Sequence, residues 1–259
     1  MSEWNLYSWN VNGIRATWKK GFTDWLHSAK PTVVGLQETK IQDEQIPPEM
    51  RDVDSYNSYW SHAQTKKGYS GVAIYSQHTP DAVSEGMGVP EFDTEGRVIR
   101  ADYADFTFFT IYFPNGQRGD DRLQYKLGFY DAFLEVADRL VAEGRELVIC
   151  GDVNTAHHPI DLARPKENET VSGFLPIERA WMDKFVEHGY IDTFRALHPD
   201  AADEYSWWNM RTRARERNVG WRIDYFFITP GLRKNLTNAA IHQDVFGSDH
   251  CPISIQLSF

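Results

Sequence analysis

The stretch LVICGDVN, residues 147–154, joins a short apolar run to a polar motif, and the same arrangement recurs along the chain. Leu147–Cys150 has the length and apolar character of a buried strand, and the glycine and polar residues that follow mark its end. Loops at strand ends commonly carry reactive side chains. Asp152 and Asn154 are therefore candidates for chemistry, although residues of these types also form ordinary turns.

Further strands and two clear helices are predicted by the same kind of pattern. The other apolar runs are Trp4–Trp9, Thr32–Leu36, Val72–Tyr75, Phe106–Tyr112, Tyr225–Ile228 and Ile253–Leu257. Apolar residues at helical spacing predict helices at Asp121–Glu143 and Pro176–His188. Strands often follow one another without a helix between them, which favours mixed or antiparallel sheets with helices on the outside. No linker divides residues 1–259, so we expect one α+β domain.

The net charge and its distribution along the chain limit the classes of function that can be expected. The 259 residues carry a formal net charge of −10, which argues against an indiscriminate nucleic-acid binder. Between Trp207 and Arg222, however, five arginines stand against the single acid Glu216; they are Arg211, Arg213, Arg215, Arg217 and Arg222. Such a local excess could follow a phosphate backbone, or it could be a solvated loop, and the sequence leaves both readings open.

The cysteines and the apolar runs indicate the cellular compartment in which the protein is expected. Cys150 and Cys251 do not form a disulfide framework, and buried free thiols in a reducing cytoplasm are expected. Met1–Trp4 lacks the basic and apolar regions of a secretory signal. No run approaches the roughly 20 apolar residues of a membrane span. We therefore expect a cytoplasmic protein without a membrane segment.

Polar motifs occur at five predicted strand ends. Besides residues 151–154, they are Asn10–Gly13, Gln37–Lys40, Pro114–Gly116 with Arg118 close behind, and Gly247–His250 before the last strand. If the strands converge, an oxygen-rich cluster forms from Glu38, Asp152, Asp249, Asn10, Asn154 and His250. Such a cluster suits magnesium, which prefers hard oxygen ligands. His157 and His158 lack the partners of a closed zinc site and are expected to be surface or supporting residues.

Six motifs together resemble the exonuclease III family of AP endonucleases. They are SWNVNG at 8–13, LQETK at 36–40, YFPN at 112–115, GDVNTAH at 151–157, NVGWRIDY at 218–225 and SDHCP at 248–252. They span almost the whole chain in the family's order. The Glu, Asp-x-Asn and Ser-Asp-His motifs alone indicate only the wider superfamily of DNase I and the inositol-phosphate phosphatases. NVGWRIDY and IDLARPK at 160–166 are more specific to the DNA-repair branch.

The resemblance implies a fold and a catalytic centre. The fold would be a DNase I-like, four-layer α/β/β/α sandwich of two mixed sheets with the site at one edge. Glu38 would be the principal ligand of Mg²⁺, or of Mn²⁺ in its place, with Asn10 and Asp249 near the same ion. Asp152 would orient or deprotonate the attacking water, although phenolate Tyr112 remains an alternative base. Asn154, and His250 paired with Asp224, would stabilise the phosphate; Tyr112 would assist at the phosphate or leaving group.

The resemblance also implies a substrate. Trp207, Trp221 and Ile223 would form an apolar pocket for a sugar without its base, extruded from the duplex. The DNA path would be lined by Arg118, Asn115, Asn168, Trp208 and Arg211. The expected activity is magnesium-dependent incision 5′ to abasic sites in double-stranded DNA by a monomer, with 3′–5′ exonuclease and 3′-end trimming. The alternatives are an inositol-phosphate or lipid phosphoesterase and a non-catalytic DNA-damage binding module.

Overall fold

The computed structural model describes residues 2–259. Its strands are β1 Glu3–Asn10, β2 Val33–Gln37, β3 Asn57–Ser61, β4 Val72–Ser76, β5 Ala82–Glu85, β6 Val98–Asp102, β7 Thr107–Tyr112, β8 Leu147–Asp152, β9 Ile191–Asp192, β10 Trp207–Trp208, β11 Gly220–Trp221, β12 Asp224–Ile228, β13 Leu236–Ile241 and β14 Ile253–Ser258. Its α-helices are α1 Ile14–Trp18, α2 Phe22–Ala29, α3 Pro48–Arg51, α4 Pro90–Asp93, α5 Asp120–Ala142, α6 Pro165–Asn168, α7 Pro176–Glu187 and α8 Thr193–Leu197. All seven predicted strands and both predicted helices are present within a few residues of their expected bounds.

The strands form two six-stranded sheets and a short separate ribbon. The first sheet has the order β13-β14-β1-β2-β4-β3, and the second has the order β5-β6-β7-β8-β12-β9. Each sheet contains one parallel pair, β1 with β2 or β7 with β8, and its other pairs are antiparallel. The ribbon pairs β10 with β11. The prediction of two mixed sheets is therefore confirmed.

One of the two large apolar clusters lies between the sheets. It includes Leu6 and Ile255 from the first sheet and Phe108 and Val148 from the second, all fully buried or nearly so. The central strands approach so closely at Gly35 that a β-carbon there would lie 2.6 Å from the Thr110 hydroxyl oxygen. Glycine at this position therefore allows the two sheets to pack face to face.

Helices cover the outer faces of both sheets. Helices α1–α3 cover the first sheet through a cluster that includes Phe22, Leu26 and Met50. Helices α5 and α7 cover the second through Phe129, Phe133, Trp181 and Phe185, among others. These are the four layers of the expected sandwich.

Two apolar residues near the ends of these helices are exposed. Val141 of α5 is 40% exposed and Ile177 of α7 is 52% exposed, because each lies at a helix end beyond the sheet contact. Cys150 and Cys251 are buried free thiols, as expected. Within residues 2–259, no helix combines the length and apolarity that crossing a bilayer requires.

Candidate active site

Sheet topology brings the polar strand ends together at one edge. In the parallel pairs Asn10 lies opposite Gln37, and Tyr112 lies opposite Asp152, so each pair ends at the same level. Asp224 opens the antiparallel strand β12 directly opposite Asp152. The Asn10 amide nitrogen donates to the Asp152 carboxylate at 2.8 Å and thereby joins the two sheets at this edge. The convergence expected from the sequence is present.

Asn10 holds two carboxylates next to each other. Its amide nitrogen donates to Glu38 Oε1 at 2.9 Å as well as to Asp152 Oδ2. Its amide oxygen accepts the backbone N–H of Asn12 at 3.0 Å, which fixes the orientation of the amide. Lys40 Nζ lies 2.7 Å from Glu38 Oε2 and also donates to the Asn12 side chain. Two anionic groups and one cation are thus in direct contact.

Asp224 controls the charge of His250. Its Oδ2 lies 2.8 Å from His250 Nδ1 and also accepts the Ser206 hydroxyl at 2.6 Å. Burial alone would lower the pKa of His250, but the charges of Asp224, Asp152 and Asp249 outweigh it and raise the pKa to about 10. His250 is therefore an imidazolium at neutral pH, with its Nε2 3.8 Å from Asp152 Oδ2.

Asp152 has the surroundings of a general base. Burial and the nearby charges of Asp224 and Glu38 raise its pKa to about 8, against the opposing effect of His250. A carboxylate with a raised pKa accepts a proton more readily than an exposed aspartate does. Asn154 donates its backbone N–H to Asp152 Oδ1 at 2.8 Å, and its side chain bonds Phe113 and Asn115.

Tyr112 has a different electrostatic environment. Its ring packs against the buried Arg97 guanidinium, whose carbon lies 4.7 Å from the ring centroid. Burial and the charge of Glu38 raise the pKa of Tyr112 well above its ordinary value. The hydroxyl therefore stays protonated at neutral pH and can donate a hydrogen bond.

Several site residues have left-handed backbone conformations that are uncommon outside glycine. They are Asn12, Glu38, Lys40 and Asn154, with φ angles of 42°, 52°, 52° and 56°. Such conformations persist only where surrounding contacts enforce them, and they cluster at functional sites. They bend the chain sharply after β1, β2 and β8.

The polar cluster opens into a cleft of about 550 Å³. Most of the expected site residues line it: Glu38, Tyr112, Asn115, Asp152, Asn154, Asn168, Trp207, Trp221, Ile223, Asp249 and His250. On one side, Trp207, Trp221 and Ile223 pack with Leu162 and Phe174 into an apolar wall. Arg118 lies in an adjoining groove that shares Tyr112 and Asn115 with the cleft. A polar centre and an apolar wall therefore share one cavity.

Asn10 and Asp249, the other two residues expected near the cation, are hydrogen-bonded to neighbouring residues of the site. Asn10 turns its amide nitrogen, not its oxygen, toward Glu38 and Asp152. Asp249 uses Oδ1 to accept Asn12 Nδ2 at 2.8 Å and Oδ2 to accept the Trp207 indole N–H at 3.1 Å. Asp249 accordingly supports the apolar wall, and Asn10 orients the two carboxylates.

The structure also corrects part of the expected nucleic-acid surface. Trp208 is 2% exposed, because the ribbon turns it away from Trp207 and under Arg215. Arg222 is buried in ion pairs with Asp161 and Asp192. Neither side chain is free to meet a ligand. Arg211 remains exposed outside the cleft.

The paired histidines are only partly as expected. His158 is exposed, but His157 is buried and its Nε2 lies 2.8 Å from Asp183. The two rings stack with centroids 3.7 Å apart.

Two residues of the site were not identified from the sequence. Ser206 donates to Asp224 and accepts the backbone N–H groups of Ile223 and Asp224. Lys40 neutralises Glu38. Lys40 stands inside the LQETK motif, so its position was a usable signal. Ser206 stands outside the quoted motifs, and its role depends on the pairing of distant segments.

The donor set fits a divalent cation. One ligand atom from each of Glu38, Asp152 and His250 lies within 4.8 Å of the other two. The cluster contains four carboxylates and two cations, namely Glu38, Asp152, Asp224, Asp249, Lys40 and protonated His250. When all four carboxylates are ionised, the two cations leave two negative charges uncompensated. Because the imidazolium repels cations, the oxygens of Glu38 and Asp152 are the groups that could hold one.

Comparisons with known proteins agree with this geometry. The Endonuclease/Exonuclease/phosphatase family model matches residues 7–250. An exodeoxyribonuclease from Bacillus subtilis (strain 168) is 43% identical over 96% of this chain and 98% of its own length. The DNA repair nuclease APEX1 of Danio rerio is 42% identical over 98% of this chain and 82% of its length. A solved structure of the 3′ phosphatase NExo from Neisseria, bound to a product DNA hairpin, is 25% identical, with a TM-score of 0.91 over 99% of this chain and 100% of that one.

Proposed function

Because the chain belongs to the Endonuclease/Exonuclease/phosphatase family, we propose that it is a DNA-repair hydrolase that cuts the sugar–phosphate backbone on the 5′ side of abasic sites. The same centre would trim damaged 3′ ends and remove nucleotides in the 3′–5′ direction. Its relatives include an exodeoxyribonuclease and a DNA-(apurinic or apyrimidinic site) endonuclease from Dictyostelium discoideum.

One observation carries the proposal. The apolar wall of Trp207, Trp221 and Ile223 lines the same cleft as Asp152 and His250. A sugar that has lost its base is small and apolar on its faces, so it fits beside such a wall. Its 5′ phosphate would then lie at the polar centre. Extrusion costs least where no base pairs or stacks, which adds to the selectivity.

Asp152 is the proposed base for the attacking water. Its place in the wall of the cleft supports proton transfer from water to its carboxylate. Its pKa of about 8 makes the ionised group a stronger base than an exposed aspartate, and a bound cation would favour that ionised form at neutral pH. Tyr112, the alternative base, is less suitable because its raised pKa keeps the phenol protonated. The phenol is instead available to donate a hydrogen bond to a phosphate or leaving-group oxygen.

His250 and Asn154 are the proposed stabilisers of the phosphoryl group. Attack on a phosphodiester builds negative charge on the nonbridging oxygens, and fixed donors in a buried site stabilise that charge. The imidazolium of His250, held by Asp224, supplies a charged donor. The side chain of Asn154 is held by Phe113 and Asn115 at the floor of the cleft.

The residues suit Mg²⁺, with Mn²⁺ as an alternative ion, held by Glu38 and Asp152. Bound there, the ion would offset the two excess negative charges and polarise the phosphate toward attack. The family supports dependence on a divalent metal ion, and the oxygen donor set supports magnesium as its identity.

The proposed partner is double-stranded DNA with an abasic or damaged site, bound by a monomer in the cytoplasm. Arg118 lies in the groove that adjoins the cleft, and Asn168 lines the cleft itself. A basic residue beside the cleft would attract a phosphate backbone locally although the chain carries a net charge of −10.

A duplex oligonucleotide with one abasic analogue provides the test. Cleavage is resolved on a gel with magnesium, with chelator, and with the Asp152→Asn variant. We expect a single magnesium-dependent cut immediately 5′ of the lesion, slowed by about 10²–10⁴ in the variant. DNA binding by the variant, measured by fluorescence anisotropy, should persist.

Two outcomes would reject the proposal. Lesion binding without any magnesium-dependent cut would favour a DNA-damage binding module. Turnover of inositol phosphates or lipid esters, in the absence of DNA cleavage, would favour the soluble or lipid phosphoesterases of the same superfamily.

A further inference from the structure

A fully buried ion pair lies behind the cleft and takes no part in the proposed chemistry. Lys126 of α5 and Glu178 of α7 are both 0% exposed, and Lys126 Nζ lies 2.6 Å from Glu178 Oε1. The ammonium also donates to the Asn154 carbonyl oxygen at 2.8 Å and to the Thr155 hydroxyl at 2.8 Å. A lysine ammonium has three donors, and all three are used here.

Glu178 connects the pair to a second segment of the cleft wall. Its Oε2 accepts the backbone N–H groups of Gly173 at 2.6 Å and Leu175 at 3.1 Å. Its Oε1 also accepts the Ser172 hydroxyl at 2.8 Å. Ser172 and Gly173 line the cleft. One ion pair therefore binds the segment 154–155 on one side and the segment 172–175 on the other.

The bond to Asn154 reaches the catalytic centre directly. Asn154 has a left-handed backbone with φ 56°, its N–H donates to Asp152 Oδ1, and its carbonyl oxygen accepts Lys126. The residue is thus held by both its backbone N–H and its backbone carbonyl oxygen in a conformation that asparagine adopts uncommonly. Loss of the ammonium would free this carbonyl and let the turn relax.

We propose that Lys126 and Glu178 are positioning residues for the hydrolysis. Their ion pair fixes the turn that presents Asp152 and Asn154 relative to the 172–175 wall of the cleft. The inference rests on the proposed function, in which Asp152 and Asn154 act on the phosphodiester. Stability alone is a weak reason for such a pair, because well-packed apolar residues often replace buried ion pairs without loss of stability.

A positioning role and a purely structural role therefore predict different activities for a stable variant that lacks both charges. The test compares Lys126→Met, Glu178→Leu and the double variant, each measured for thermal midpoint, kcat and KM on the abasic duplex. Each single variant leaves one buried charge unpaired and should lower the midpoint strongly. The double variant should recover most of the midpoint and keep KM within about threefold of wild type. Its kcat should still be at least tenfold lower, because the Asn154 carbonyl has lost its donor.

A control and a milder variant complete the design. Arg100→Gln with Asp102→Asn removes an ion pair at the end of β6 away from the cleft and should leave kcat at the wild-type value. Thr155→Val keeps the Lys126–Glu178 pair and removes one of its two contacts with the turn. It should lower kcat severalfold at unchanged KM, with a smaller loss of thermal midpoint than either single charge variant, because only one buried donor of the ammonium loses its partner. It decides the question if the double variant does not fold.

Wild-type kcat in the double variant, or in Thr155→Val where the double variant is unfolded, would overturn the positioning role. A wild-type protein that fails to cut the abasic duplex would instead reject the proposed function, so the two failures are distinguishable.

Discussion

His250 and Asp224 form the contact on which the charge of the cleft depends. The imidazole is buried, and burial without a partner favours the neutral ring. The Asp224 carboxylate at 2.8 Å, together with the charges of Asp152 and Asp249, reverses that preference and raises the pKa to about 10. These carboxylates therefore allow the centre to offer a phosphate a charged donor.

Asp224→Asn should lower the pKa of His250, because it removes the largest of the carboxylate charges that oppose the effect of burial. NMR titration of the metal-free protein should show the variant ring losing its proton at a lower pH than the wild-type ring, whose pKa is about 10. An unchanged titration midpoint in a folded variant would contradict the role given to Asp224.

Trp207 should contribute both its ring and its indole N–H. Trp207→Ala removes part of the apolar wall and should reduce the preference for abasic over intact duplex by at least about tenfold, the scale of discrimination by small apolar pockets. Trp207→Phe retains a ring and loses only the bond to Asp249, so it should cost about threefold. Competition cleavage of the two duplexes measures the preference. Equal losses in both variants would show that the ring is not the discriminating feature.

The arginine-rich segment is divided between internal and external roles. Arg215 donates to the carbonyl oxygens of Gln243, Val245 and, at 3.4 Å, Ser248, and its guanidinium stacks between Trp208 and Phe246. It thereby ties the 3₁₀ helix Ala214–Arg217 to the loop that leads to Asp249. Arg211 is exposed and has no such bonds from its guanidinium within the described residues. Neighbouring residues of one type thus serve different purposes.

Matched substitutions should separate these purposes. Arg215→Met keeps apolar contact but loses the donors, so it should lower the free energy of unfolding by about 1–3 kcal/mol. Arg211→Met should leave stability unchanged. Instead, it should reduce the slope of log binding constant against log salt by about 1 if Arg211 contacts a phosphate. Urea unfolding and salt-dependent DNA binding measure the two effects, and an unchanged salt slope would remove Arg211 from the DNA surface.

At the scale of the whole molecule, a buried charge network joins segments far apart in sequence. Asp161 accepts from Arg195 at 2.6 Å and from Arg222 at 2.8 Å, and Arg222 also bonds Asp192. Burial alone would raise the pKa of Asp161, but the guanidinium charges of Arg222 and Arg195 outweigh it and hold the pKa well below its usual range. The network anchors β12 beside the apolar wall.

This network predicts the acid limit of stability. The unfolded pKa of an aspartate is about 4, so the contribution of Asp161 is complete above that pH and is lost as pH falls toward the lower folded value. Asp161→Asn should lose about 3 kcal/mol at pH 7, because it breaks a buried pair, and its stability should change less between pH 4 and pH 2. Urea unfolding across that range is the measurement. Asp43→Asn, which breaks an exposed pair with Arg51, should change stability by less than about 1 kcal/mol.

Local residue patterns were enough to indicate the class of the fold and most of the chemical groups of the site. Buried strands are local patterns of apolar residues, so Leu147–Cys150 and its counterparts were visible without coordinates. The polar motifs at their ends named Glu38, Asp152, Asn154 and His250, because a strand end places its next residues on a loop. The shortest strands, such as β9 and β10 with two residues each, lack enough residues to form a pattern.

What each of these groups faces depends on how distant segments pack in three dimensions. Trp207 and Trp208 are identical neighbours, yet pairing with β11 turns one into the cleft and buries the other. Arg222 and Lys126 are of residue types that are usually exposed, but here they are buried in ion pairs with acids that are distant in the sequence. The pKa values of Asp152 and His250 likewise depend on burial and on charged partners from distant segments, such as Glu38 for Asp152 and Asp152 for His250. Such contacts are long-range, and local sequence patterns carry no record of them.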